Sequence, residues 1–238
     1  MATAFDHPPA KCYALVPCAG NGSRAGTEGP KQYAVIAGRS VVAHTLAALQ
    51  SVAHMTATLV VLAPTDTEFE AAAPDFRGAR AWVERCGGSS RAASVASGLA
   101  ALSARGAQPQ DWVLVHDAAR CLLRAATVQR LIDACQGDDV GGLLALPLAD
   151  TLKQAGTNQR IATTLDRGGK WLAQTPQMFR LGLLSAALAR SNAEVTDEAG
   201  AIEALGHAPL LVPGEPDNFK LTWPADFVLA ERLLRNAP

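Results

Sequence analysis

The sequence predicts an α/β fold in which a mostly parallel sheet is covered by helices on both faces, with a β-arm inserted into it. Two observations carry this. Short apolar runs, many of them β-branched, alternate with helix-period segments as far as GGLLALPL, and that alternation builds a parallel sheet with helices on its faces. The alternation then breaks over residues 148–168, where polar strand-like runs stand in place of a helix.

In chain order, CYALVP reads as a strand, SVVAHTLAALQ as a helix, TLVVLAP as a strand and TEFEAAA as a short helix. AWVERC, RAASVASGLAAL and WVLVHD follow as strand, helix and strand. The arm is read as two short polar strands, 151–154 and 161–164, around a turn rich in Gly and Asn. A two-stranded hairpin is marginal alone, so the arm is expected to pack against a second subunit. RLGLLSAALARS and DEAGAIEALG then read as helices, PLLVP and FKLT as strands, and PADFVLAERLLRN as a closing helix. Repeats and low-complexity linkers are absent, so residues 1–238 are expected to form one domain that carries the arm.

Composition narrows the partners. The chain has 238 residues, 49% of them hydrophobic, enough to build a core without staples. Its 21 basic and 22 acidic residues leave a formal charge of −1, which offers no field to attract nucleic acid or an acidic membrane. The five cysteines are odd in number and scattered, with no C-x-x-C pair, which argues against a disulfide framework or a zinc site and for a reducing cytoplasm. The start MATAFDHPPAK lacks a signal-peptide pattern, and no segment approaches the roughly 18 apolar residues of a membrane span. A cytoplasmic protein is expected.

The chemistry concentrates after strands. LVPCAGNGSRAGTEGPKQY follows the first strand and contains a loose G-x-G-x-x-x-G. A dinucleotide loop would open directly into a helix, yet Gly26, Gly29 and Pro30 keep this chain irregular until about Ser40. A Walker loop needs G-K-[ST], which does not occur. What remains is a long loop whose backbone N–H groups, with the cations of Arg24 and Lys31, suit a triphosphate. An ordinary glycine-rich surface turn stays open as the alternative. In WVLVHDAAR, Asp117 stands at a strand's carboxyl end, where a carboxylate can hold Mg²⁺ against phosphate oxygens; a helix N-cap is the other reading. Arg120 is placed to pair with it, and His116 reads as a packed histidine rather than a base. In CGGSSRAASVASGL, Gly87, Gly88 and Ser94 allow close approach of a base or ribose.

These strings, PCAGNGSRAG, GPKQY, GGSSRAASV, VHDAAR, DTLK, LDRGGKWLAQTPQMF, TDEA and DNFKLTWPAD, in this order from about Tyr13 to Glu231, resemble the 2-C-methyl-D-erythritol 4-phosphate cytidylyltransferase family. The resemblance implies a Rossmann-like fold of the nucleotidyltransferase type, CTP and a polyol phosphate as substrates, Mg²⁺, and a homodimer with interlocking arms. It implies that Arg24 and Lys31 stabilise triphosphate charge, and that Cys18, Ala19, Gly20, Gly22, Gly88 and Ser94 line the nucleotide site. Asp117 would be the metal ligand. Thr151 and Arg167 would reach the sugar phosphate from a neighbouring subunit's arm, while Lys220, with Arg120, would serve the acceptor from the body. The nearest rival is a cytidylyltransferase of another polyol phosphate such as ribitol 5-phosphate, to be separated in the acceptor pocket around Thr151, Arg167 and Thr196. A nucleotide-binding protein without catalysis would be expected to lack Arg24, Lys31, Asp117 or Lys220, and all four are present. Cys18, Ser89, Cys121 and Trp223 depart from the family pattern, Ser89 standing where an acid often follows the glycine pair. Many relatives carry a fused cyclase domain, and with the sequence ending at Pro238 none is expected here.

Overall fold

The computed structural model describes residues 10–20, 29–190 and 195–236. The apolar run CYALVP forms β1 (Cys12–Pro17), buried on both faces as an inner parallel strand must be. After a single 3-10 turn at Lys31–Tyr33 come a small hairpin, β2 (Val35–Ile36) and β3 (Arg39–Ser40), and then α1 (Val41–Gln50). Ser40 caps α1 by accepting from the Ala43 amide, so the first long helix starts where the sequence placed it.

The alternation continues with β4 (Ala57–Val61), α2 (Phe69–Ala72), β5 (Ala81–Glu84), α3 (Arg91–Ala104) and β6 (Trp112–Val115). Next are α4 (Ala125–Cys135), β7 (Gly141–Pro147), the arm strands β8 (Leu152–Ala155) and β9 (Ile161–Leu165), and β10 (Trp171–Arg180). The last elements are α5 (Leu181–Arg190), α6 (Glu198–Ala204), β11 (Leu210–Pro213) and α7 (Pro224–Arg235).

Seven strands form one sheet in the order β11-β7-β10-β6-β1-β4-β5. β1 pairs in parallel with β4 and β6, β4 with β5, and β11 with β7; β10 alone runs antiparallel, to β6 and β7. The sheet is built outward from β1 to β5 and then returns to β6 on the other side of β1. That reversal is a topological switch point, where ligands bind beyond the carboxyl ends of the strands.

Side chains alternate between two apolar layers. Ala14, Val16, Val60 and Leu114 pack with Leu46 of α1 and Leu131 of α4, while Leu15, Leu59, Val61 and Val115 pack with Leu99 of α3, Leu184 of α5 and Ile202 of α6. Each fully buried Leu or Val contributes about 1.5–3 kcal/mol. Helices therefore cover both faces of the sheet, and no helix of the described residues is long and apolar enough to cross a membrane. All five cysteines are free.

The fold differs from the sequence expectation in several places, the first being the stretch read as irregular up to about Ser40, which holds the 3-10 turn and the β2–β3 hairpin. The arm strands are shifted by a residue or so, to 152–155 and 161–165. β10 is an antiparallel strand in mid-sheet: β7 runs out into the arm, and the returning chain pairs with β7 directly, from Trp171 opposite Pro147 to Phe179 opposite Gly141. FKLT is no strand. Instead the Leu221 amide donates to the Ala119 carbonyl and the Asn218 carbonyl accepts from Arg120, which pins this irregular segment across the loop after β6.

Candidate active site

At the switch point the loops after β1, β5 and β6 and the segment around Lys220 enclose a cleft of about 280 Å³. Its floor begins where the Cys18 amide donates to the Val61 carbonyl at 2.8 Å, extending β1 by one residue. Gln32, almost fully buried, fixes the loop by donating from Nε2 to the Cys18 carbonyl at 3.1 Å and the Gly20 carbonyl at 3.0 Å. The Cys18 thiol is pushed up to about 12 by burial, so it stays a neutral packing group beside the cleft. Lys31 Nζ donates to the Leu221 carbonyl at 2.6 Å, joining the glycine-rich segment to the segment that carries Lys220.

The opposite wall is made by the entry to α3. A Cβ at Gly87 would stand 2.7 Å from the Leu62 carbonyl and overlap Ala19, so only glycine lets the exit of β5 approach the loop. The Gly88 amide donates to Ser94 Oγ at 3.1 Å, and that hydroxyl donates to the Ser90 carbonyl at 3.0 Å. Ser90 Oγ caps α3 by accepting from the Ala93 amide. The positive end of a helix of 14 residues thus borders the cleft, favourable for an anion.

Charge gathers around Asp117. Its Oδ1 lies 2.9 Å from Arg91 Nε, and its Oδ2 lies 2.8 Å from Lys220 Nζ and 3.7 Å from Arg120 Nε. Burial alone would raise its pKa, but Arg91, Lys220 and Arg120 outweigh burial and hold the carboxyl far below the usual range. Arg91 also grips Glu198 with both terminal nitrogens, at 2.6 and 3.0 Å. Three cations thus face two carboxylates, an excess of positive charge that suits a polyphosphate. No helix starts after Asp117, since α4 begins at Ala125; this overturns the N-cap reading. Thr175 Oγ1, in the irregular stretch of β10, accepts from the Asp117 amide at 3.0 Å and lies 3.0 Å from His116 Nδ1. His116 Nε2 faces the Arg120 carbonyl at 3.1 Å, so the proton sits on Nε2 and Nδ1 accepts from Thr175. The ring is a buried, satisfied histidine, as the sequence suggested.

A family model described as IspD, 2-C-methyl-D-erythritol 4-phosphate cytidylyltransferase, matches residues 12–236. The chain is also 52% identical over 94% of its length to the 2-C-methyl-D-erythritol 4-phosphate cytidylyltransferase of Paraburkholderia phymatum, of which it covers 96%. The chain belongs to the 2-C-methyl-D-erythritol 4-phosphate cytidylyltransferase family. It is 58% identical over 94% of its length to a bifunctional IspD/IspF enzyme of Albidiferax ferrireducens, and spans 53% of that protein. The cytidylyltransferase fold is matched by a crystal structure of 4-diphosphocytidyl-2C-methyl-D-erythritol synthase at TM-score 0.85 and 41% identity, covering 96% of this chain and all of that one. The 2-C-methyl-D-erythritol 4-phosphate cytidylyltransferase of Thermus thermophilus matches at TM-score 0.77 and 34% identity, covering 94% of this chain and 99% of that one.

Within this cytidylyltransferase, Cys18, Ala19, Gly20, Lys31, Gly88, Ser94, Asp117 and Lys220 meet in the one cleft. Arg24 and Gly22 lie outside the described residues. Arg120 is not among the lining side chains; it is nearly buried and donates to the Asn218 carbonyl at 2.7 Å, holding the segment that carries Lys220. Thr151 and Arg167 are exposed on the arm and do not line the cleft of their own chain. Sequence reasoning passed over Gln32, Arg91, Thr175 and Glu198. Gln32, Arg91 and Thr175 lie inside strings that carried the family resemblance, and Glu198 is the glutamate of TDEA, so only their burial and partners were hidden.

The described residues hold no cluster of three or more metal-ligating side chains. Asp117 is the one acid among the described residues lining the cleft, and its oxygens already face cations. One carboxylate on the cleft wall still fits a Mg²⁺ ion that draws its other ligands from phosphates and water, because the contacts to Arg91 and Lys220 leave lone pairs on both Asp117 oxygens.

Proposed function

We propose that this cleft is where the chain transfers the cytidylyl group of CTP to 2-C-methyl-D-erythritol 4-phosphate, giving 4-diphosphocytidyl-2-C-methyl-D-erythritol and pyrophosphate for isoprenoid precursor synthesis by the non-mevalonate route. The observation that carries the placement is the convergence of Lys31, Lys220, Arg91 and the N-terminus of α3 on a single cleft at the switch point of the sheet.

The chemistry asks for little proton transfer. An oxygen of the acceptor phosphate attacks the α-phosphorus, a new P–O bond forms, and the bond to the bridging oxygen breaks with its electron pair leaving on pyrophosphate. The acceptor oxygen is already anionic, so catalysis reduces to in-line positioning and neutralisation of crowded charge. Lys31 and Arg24 are assigned to the triphosphate, and Lys220 to the acceptor phosphate. The peptide groups of Cys18, Ala19 and Gly20, with Gly88 and Ser94, are assigned to the nucleoside. Asp117 is the residue to hold Mg²⁺, which when bound supplies positive charge against the phosphate oxygens. His116 and the Cys18 thiol take no part, being neutral and enclosed.

We assign Thr151 and Arg167 to the acceptor in a neighbouring subunit's cleft. Their exposure on an arm that carries uncovered apolar side chains, Ile161 and Leu165 among them, supports a homodimer built through residues 148–168. A cytoplasmic location is proposed with this, in keeping with five free thiols.

The test is pyrophosphate release from CTP and Mg²⁺ with 2-C-methyl-D-erythritol 4-phosphate and, separately, ribitol 5-phosphate. Release with the first acceptor and only background with the second is expected. The reverse pattern would overturn the acceptor while leaving the nucleotide site in place, and silence with both would overturn the transfer itself.

A further inference from the structure

Glu198 does not line the cleft, yet it is 1% exposed and carries a carboxylate that both terminal nitrogens of Arg91 grip. It sits in the first turn of α6, and that turn is held in place. Asp197 caps α6 through the Gly200 amide at 3.0 Å, while Gln177 of β10 donates to Asp197 Oδ2 at 2.9 Å and accepts from the Ala199 amide at 2.8 Å. The backbone on either side of Glu198 is thus held, and its carboxylate stands at the far side of Arg91.

The guanidinium is planar, so a bidentate grip on its two terminal nitrogens also fixes the direction of Nε. That nitrogen meets Asp117 Oδ1 at 2.9 Å. With Oδ1 engaged, Oδ2 is the oxygen presented to Lys220 Nζ, at 2.8 Å. The result is a continuous series, Glu198 to Arg91 to Asp117 to Lys220, that starts outside the cleft and ends on a lysine ammonium within it. Buried ion pairs of this kind add little stability compared with apolar residues of the same shape. Their consequence here lies in what they orient.

We propose that Glu198 is a positioning residue for the transfer reaction: acting through Arg91 and Asp117, it sets where the Lys220 ammonium stands. The inference rests on the assignment of Lys220 to the acceptor phosphate. It predicts an effect on turnover through Lys220 and none on the capture of CTP, because Lys220 is assigned to the acceptor phosphate and not to the nucleotide.

A double-mutant cycle tests this, with Glu198→Gln, Lys220→Ala and the pair assayed for pyrophosphate release beside the wild type. Glu198→Gln keeps the shape and one acceptor oxygen but removes the charge and the bidentate grip. Its kcat is expected to fall between about 10- and 100-fold, the scale of an ångström-sized misplacement, with KM for CTP within about 3-fold. In the Lys220→Ala background the same change is expected to cost less than about 3-fold, because the group it positions is gone. Glu198→Asp, which keeps the charge on a shorter stem, is expected to lie between wild type and Glu198→Gln. Full additivity would overturn the inference, as would a raised KM for CTP at unchanged kcat. A Lys220→Ala variant with normal turnover would overturn both this inference and the Lys220 assignment, which separates the two failures. Loss of the folded state in both Glu198 variants would make the network a structural one and also overturn the inference.

Discussion

Two neighbours at the end of β6 show how a site sets charge one residue at a time. His116 and Asp117 are both buried, and burial disfavours the charged form of each. At Asp117 three cations outweigh burial and the carboxylate stays ionised. At His116 burial prevails: the pull of Asp117 is countered by Arg120 and Arg91, and the ring's pKa falls to about 4. In the unfolded chain the same ring titrates near its ordinary value of about 6.5, so between these values the unfolded state binds more protons. The neutral ring's contribution is therefore fully present above about pH 6.5 and is lost as pH falls toward 4. Between pH 7.5 and pH 5 this group alone should remove roughly 2 kcal/mol of stability. His116→Gln, which keeps an N–H donor without the titration, should flatten the pH dependence of urea unfolding by about that amount. Parallel pH dependences in the two proteins would show that His116 is not the group responsible.

At the scale of the element, α3 joins fold to function. Its N-terminus supplies Ser90, Arg91 and Ser94 to the cleft, and its middle must lie close against β1 and β4. Gly98 permits that approach: a Cβ there would come within 2.6 Å of Leu15 Cδ1 and 2.8 Å of Val61 Cγ2. Gly98→Val should lower stability by about 1–3 kcal/mol through overpacking, read as a shift in the urea midpoint, and should raise KM for CTP as the helix start moves. An unshifted midpoint would mean that the helix can lift off the sheet without cost. Elements of this kind were legible because their patterns are local. CYALVP and RAASVASGLAAL carry their strand and helix signals within a few residues, and β1 and α3 form there. β10 was not legible: Pro176 and the polar Gln174, Thr175 and Gln177 argue against an inner strand. The last two are buried because they bond to His116, Asp117 and the start of α6, partners distant in sequence. The cleft divides in the same way. Lys31 and Asp117 announced themselves by following strands, whereas the pairing of Arg91 with Glu198 spans 107 positions and appears only when the chain is folded.

The whole molecule raises the question of how a site can be completed when two of its assigned residues stand away from it. Thr151 and Arg167 belong to an arm whose strands β8 and β9, among the described residues, pair with each other and not with the main sheet. Ile161 is 67% exposed and Leu165 38%, which leaves apolar surface on an element that is marginal without cover. The Leu148 amide bonds to the Lys170 carbonyl and closes the base of the arm, so the hairpin projects as a unit. A second copy related by a two-fold axis would cover each arm with the other and carry each Arg167 to the partner's cleft. This arrangement makes a prediction that no monomeric site can satisfy. Arg167→Ala and Lys220→Ala should each be nearly inactive alone. Co-expressed in one cell, they should form mixed dimers in which one cleft has both residues intact, one subunit giving Lys220 and the other Arg167. With random pairing about half the dimers are mixed and one of their two clefts works, so about a quarter of wild-type activity per cleft should return. Pyrophosphate release that stays at the level of the separate variants would place Arg167 and Lys220 in the same chain's site, and the arm would then have to fold back to serve its own cleft.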